Sequence, residues 1–178
     1  MTSEVPFDEL PTFRRTFGAR VSEERETLEA FLDLYRDVVV RKLHGLTDDD
    51  ARRRLVNSET TLAGLVKHLR VVEMNWFQRI LARLPDHELP IPVDWANPGF
   101  SFTLAPHETT DSLAAAYRHQ CELSRQIAAR HDLGDTVPHP ELGDVSLRWI
   151  YVHLIHETAR HAGHADILRE QIDGTTGS

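Results

Sequence analysis

Apolar residues recur at three- and four-residue intervals through four long stretches of the chain, the spacing that builds one buried stripe on an α-helix. The first runs from about Ser22 to Leu43, with Leu28, Phe31, Leu32, Tyr35, Val38 and Val39 on the stripe and Ser22 as N-cap. A short turn of helix is predicted at Thr47 to Leu55, where Thr47 caps and Asp48, Asp49 and Asp50 place negative charge at the favourable end of the helix dipole. The second long helix, Thr60 to Leu84, keeps the period through Leu62, Leu65, Val66, Leu69, Val72, Trp76, Ile80 and Leu84, and Pro85 forbids its continuation. A third spans Thr109 to Arg130 on Leu113, Ala116, Tyr117, Cys121, Ser124, Ile127 and Ala128, and a fourth runs from Ser146 to Ile172 and stops before Gly174.

The segments between them lack any period. Pro85 to His107 holds five prolines with Trp95, Phe100 and Phe102 among them, which predicts a long crossover between helices two and three. His131 to Asp144 is a Gly- and Pro-rich loop, and no stretch makes a convincing strand. The expected fold class is therefore all-α, a four-helix bundle. With 178 residues and 40% hydrophobic content the chain suits a single domain over 1–178, with an N-terminal strap over 1–20 and a flexible tail over 174–178.

A net charge of −8 with histidine neutral argues against a surface that tracks phosphates, so no nucleic-acid partner is expected. The single cysteine, Cys121, excludes an intramolecular disulfide, and Met-Thr-Ser-Glu-Val-Pro lacks the basic and apolar parts of a signal peptide, which predicts a cytoplasmic protein. No apolar run approaches the roughly 18 residues of a membrane span, and Trp149 to Ile155 is interrupted by His153. Only Lys42 and Lys67 among the 20 basic residues are lysines, a bias typical of high-GC genomes, actinobacteria among them.

Chemistry concentrates in His156-Glu157-Thr158-Ala159-Arg160-His161-Ala162-Gly163-His164-Ala165-Asp166. At about 100° per residue, His153, Glu157, His161 and His164 share one sector of the helix, with Leu154, Thr158, Ala162 and Ala165 further round. His153 and His161 are separated by roughly 12 Å of rise, so only groups one turn apart can share an ion, and Glu157 with His161 is the favoured pair. The zinc-protease motif needs two histidines four residues apart, whereas His156 and His161 are five apart, roughly 140° from each other around the axis. A third ligand is expected from His68, at the inward edge of the helix-two stripe, where an unpaired polar ring would be costly. Two imidazoles and a carboxylate with open positions describe a catalytic site better than a structural one. Zinc is the favoured divalent metal, the same trio also suits iron, and nickel or copper can compete for it.

Plainer readings stand beside these. A lone histidine on an apolar face is commonly a hydrogen-bonded core residue, and Glu157 with His161 would also make a helix-surface pair. His164 and His153 are either groups that orient a ligand or substrate, or a solvated edge of the stripe. Arg160 and Asp166 fit ion pairs at a helix end or a homodimer contact. Trp76 fits core packing, with a substrate-wall role as the alternative, and Cys121 fits a buried small apolar group.

The segments Leu65-Val66-Lys67-His68-Leu69 and Val72-Glu73-Met74-Asn75-Trp76-Phe77, together with 156–166, resemble the DinB-like superfamily of metal-binding four-helix bundles over essentially the whole chain. The match is to an actinobacterial branch of mycothiol S-transferases. Common members hold their metal with three histidines, whereas the earlier helix-four position here is Glu157. That arrangement is similar to mycothiol-dependent maleylpyruvate isomerase, whose ligands correspond by this resemblance to His68, Glu157 and His161; that enzyme has a further C-terminal domain, and this chain ends at Ser178. The resemblance implies a low-molecular-weight thiol, mycothiol, as cosubstrate, and a small-molecule electrophile as second substrate, with Trp76 and the 93–104 segment as wall elements. Three functions compete: a metal-dependent thiol transferase, a metal hydrolase that activates water, and a bundle that binds metal or ligand without catalysis.

Overall fold

The computed structural model describes residues 6–97 and 99–176. Its helices are α1 (Pro11–Gly18), α2 (Glu24–Arg41), the single turn α3 (Asp48–Ala51), α4 (Leu62–Glu73), α5 (Thr110–Ala128) and α6 (Leu147–Asp173). Strands β1 (Thr136–His139) and β2 (Gly143–Ser146) form a two-stranded antiparallel sheet. The long helices pack as α2 on α6, α4 on α5, and α4 on α6, with α1 lying along α2. Among the described residues no helix is long and apolar enough to cross a membrane.

Caps set most of the helix starts. Thr61 Oγ1 accepts from Gly64 N, Thr109 and Ser112 form a reciprocal capping box, and Ser146 accepts from Trp149 N. Gly174, at φ 78°, closes α6 in the left-handed conformation that a glycine adopts without strain. Helix α2 departs from expectation, starting at Glu24 after an uncapped Glu23 rather than at Ser22. Glu24 and Glu26 in its first turn supply the favourable charge instead.

Apolar stripes from the four long helices meet in two principal clusters. One gathers Leu65, Leu69, Leu113, Tyr117, Ala162 and Ala165, and the other gathers Leu32, Phe77, Ile80, Ile150, Tyr151 and Leu154. Each fully buried leucine or isoleucine contributes about 1.5–3 kcal/mol. Phe31 does not belong to the stripe, being 39% exposed, whereas the acidic and basic side chains of Asp33 and Arg36 are buried. Helix α2 thus turns a partly charged face inward, because partners on α4 and α5 neutralise it.

Two other expectations need correction, and the N-terminal strap gains helical detail. Helix two is not α-helical to Leu84: after Glu73 it continues as a π-helix over Met74–Leu81, closed by Ala82 N to Phe77 O, and Arg83 reverses the chain at φ 59°. Sequence periodicity cannot separate the two forms, since both bury Trp76 with Ile80 and Phe77 with Leu81. The 131–144 loop contains the β-hairpin, in which Val137 pairs with Val145 and both side chains are buried, while Gly143 takes the turn at φ 75°. In the N-terminal strap Phe7–Glu9 is a 3-10 turn and Pro11–Gly18 is helix α1; residues 1–5 of that strap, and residues 177–178 of the tail, lie outside the described residues.

Candidate metal centre

His68 projects from the middle of α4 toward α6, where Glu157 and His161 are one turn apart. One ligand atom from each, His68, Glu157 and His161, lies within 4.8 Å of the other two. Glu157 Oε1 is the hub, 3.0 Å from His161 Nε2 and 3.4 Å from His68 Nε2. Its other oxygen accepts from Arg160 Nη2 at 2.7 Å, so Arg160 orients the carboxylate from the solvent side. Asp166, by contrast, pairs at 2.6 Å with Lys42, the residue that follows α2, and takes no part in the cluster.

Hydrogen bonds to His161 and then to His68 hold the Glu157 carboxyl well below the usual carboxylate range, against the opposing effect of burial, so this group is ionised at neutral pH. The result is one negative oxygen and two imidazole nitrogens aimed at a common point. For ligand bonds of 2.0–2.2 Å, the edge of a tetrahedral site is about 3.4 Å. The two oxygen–nitrogen separations, 3.0 and 3.4 Å, are near that edge, and the three ligand atoms together lie within 4.8 Å of one another. Two imidazoles and one carboxylate are a donor set that suits a divalent ion.

Each imidazole is also held at its far nitrogen. Ser101 Oγ lies 2.9 Å from His68 Nδ1, and the Phe102 ring stacks on His68 with centroids 4.2 Å apart and planes 10° from parallel. His164 Nδ1 lies 3.4 Å from His161 Nδ1. Ser101 and Phe102 come from a 3-10 turn, Phe100–Phe102, in the connection between the π-helix and α5. Nothing in that proline-rich stretch marks Ser101 as a partner of a residue 33 positions earlier, and sequence reasoning missed it.

His153 and Trp76 are brought to each other rather than to the trio. Their ring centroids are 4.7 Å apart, Trp149 stacks on His153 at 5.1 Å, and His139 of the hairpin stacks on Trp76 at 5.1 Å. Trp76 is a buried core residue, 7% exposed, whose partners form an aromatic cluster one helical turn from Glu157. Burial lowers the His153 pKa, which favours a neutral ring in that stack. Cys121 lies elsewhere, between α5 and α2, where burial pushes its thiol up to about 12 and leaves it unreactive at neutral pH.

Residues 27–174 match the sequence model of a family described as mycothiol-S-transferase. No curated protein matches the chain.

Proposed function

The chain belongs to the mycothiol S-transferase family, matched over residues 27–174 of its 178, and from this we propose that it is a metal-dependent thiol transferase joining a low-molecular-weight thiol, mycothiol, to an electrophilic small molecule. The convergence of His68 Nε2, His161 Nε2 and Glu157 Oε1 on one point carries the reading. The fold proposed is a DinB-like four-helix bundle over 1–178 as a single domain, with Pro85 to His107 as the long crossover between helices two and three. It places the reaction in the cytoplasm, in the removal of reactive electrophiles.

In this scheme His68, Glu157 and His161 hold a divalent ion, zinc by donor set, with iron and nickel as competitors. When bound, that ion supplies the positive charge that deprotonates a coordinated thiol and makes it nucleophilic. The protein's own groups do the rest. Glu157 offers one oxygen to the centre while Arg160 engages the other, which fixes the carboxylate's orientation. Ser101 and His164 hold the two imidazoles from behind. Trp149, 41% exposed and clustered with His153 and Trp76 one helical turn from Glu157, offers an aromatic surface for the electrophile.

The test is incubation of the zinc-loaded protein with mycothiol and a panel of electrophiles, with and without chelator. The expected result is a thioether product that needs both thiol and metal. Turnover without thiol would identify a metal hydrolase, and no chelator-sensitive product at full metal occupancy would leave a non-catalytic binder.

A further inference from the structure

We infer that Ser101 is a positioning residue that holds His68 with its proton on Nδ1 when a metal ion takes the place of the Nε2 hydrogen bond to Glu157, and that Gly64 favours the close docking that lets it do so. This rests on the metal-site reading above. Ser101 is 5% exposed and its Oγ is 2.9 Å from His68 Nδ1, so the hydroxyl oxygen is placed to accept from an Nδ1–H. A hydrogen bond at that nitrogen selects the tautomer whose other nitrogen is free to ligate, and also raises its basicity. Phe102, stacked on the same ring, blocks rotation out of that plane.

The turn seats closely on α4 where Gly64 has no side chain. A Cβ on Gly64 would lie 3.0 Å from the Phe102 carbonyl oxygen and 2.9 Å from Thr61 Oγ1, closer than carbon and oxygen normally approach. Gly64 is one turn before His68 on the same helix, so the close approach at Gly64 and the hydrogen bond at His68 are set by one docking of the Phe100–Phe102 turn. Farther along, Lys67 binds Glu108 at 2.8 Å and Arg52 donates to the Ala105 carbonyl at 2.9 Å, which ties the outgoing end of the connection to the same region. The connection therefore completes the site rather than merely joining two helices.

The experiment measures Zn2+ affinity by competition with a chromogenic chelator, and Co2+ absorption as a report on coordination, in the full chain. Ser101→Ala is expected to weaken Zn2+ binding 10- to 100-fold, as loss of such outer partners commonly does. Ser101→Thr, which keeps the hydroxyl, should restore most of it. Gly64→Ala should weaken binding several-fold with all ligands and Ser101 retained. In 15N-edited spectra of the zinc-loaded wild type, a His68 Nδ1–H signal protected from water exchange is expected, and it should be lost in Ser101→Ala. Unchanged affinity in Ser101→Ala, or no protected Nδ1–H in the wild type, overturns the inference while leaving the metal site intact. A wild type that binds no Zn2+ overturns the metal reading itself. The wild-type spectrum decides the matter even if a variant fails to fold.

Discussion

Helix α4 contributes to two polar clusters of opposite character, one buried and one partly exposed. His68 faces α6, and Glu73, five residues later and roughly 140° round the axis, faces α2. Both oxygens of Glu73 are taken by Arg36, each at 2.7 Å, and the pair is almost wholly buried. Arg36 also donates to Asp33, which receives Arg125 and Arg15 as well. Burial, the largest single influence, would lower the Arg36 pKa, but Glu73, Cys121 and Tyr117 together outweigh it and raise it well above the usual value. In this cluster every carboxylate oxygen of Glu73 and Asp33 already meets an arginine, so the anions are neutralised within the protein. In the other, Glu157 Oε1 faces imidazole nitrogens whose protons can be displaced, and only its outer oxygen meets an arginine. Guanidinium partners make an anion structural, whereas imidazole partners leave it receptive to a metal ion.

Removing one carboxylate from each cluster should separate them most sharply. Glu73→Ala strands the Arg36 charge in the interior, and the expected loss is about 3–5 kcal/mol of unfolding free energy in urea melts. Glu157→Gln faces a partly exposed Arg160 and should cost the metal-free protein no more than about 1 kcal/mol, while abolishing stoichiometric zinc. Equal destabilisation by the two variants would erase the distinction.

Metal linkage sharpens the comparison next. Zn2+ at 100 times its Kd should stabilise the wild type by about 2.7 kcal/mol, visible as a rise in the melting temperature that chelator reverses. His68→Ala and His161→Ala should show no such rise, and Glu73 and Arg36 give Zn2+ no route to this effect. A zinc-dependent rise retained in both histidine variants would disconnect α4 and α6 from a shared ion.

The smallest effect concerns pH. Burial pushes the Asp33 carboxyl up, but Arg125 and Arg36 outweigh it and hold it below the usual range. Its folded pKa is thus lower than the unfolded value near 3.9, so its stabilising contribution is complete above about pH 4 and is lost as pH falls through the folded value. Wild-type urea midpoints should decline more steeply below pH 4 than those of Asp33→Asn. Parallel curves would show that the network contributes no pH-dependent stability.

The parts of the site legible in advance were those with a local signature. Glu157 and His161 are four residues apart on a recognisably helical stretch, and His68 interrupts an otherwise apolar stripe, so helical geometry made them candidates before any coordinates. The caps Thr61, Thr109 and Ser146 fall within a residue or so of the predicted starts for the same reason. Ser101, Phe102, Arg36 and Glu73 had no such signature. Their partners lie dozens of positions away, and a serine in a proline-rich connection or an arginine on an apolar helix looks the same whether or not something meets it.

The amino-acid order by itself determined where the long helices run and which faces carry His68, Glu157 and His161, because a period of 3.6 residues is written into each segment. Tertiary structure alone decided that His68 meets Glu157, that the Phe100–Phe102 turn seats against Gly64, and that Asp33 and Arg36 turn inward. Those outcomes depend on the approach of segments far apart in the chain, and the free energy of a buried polar group is set by whatever partner arrives, not by its neighbours in sequence.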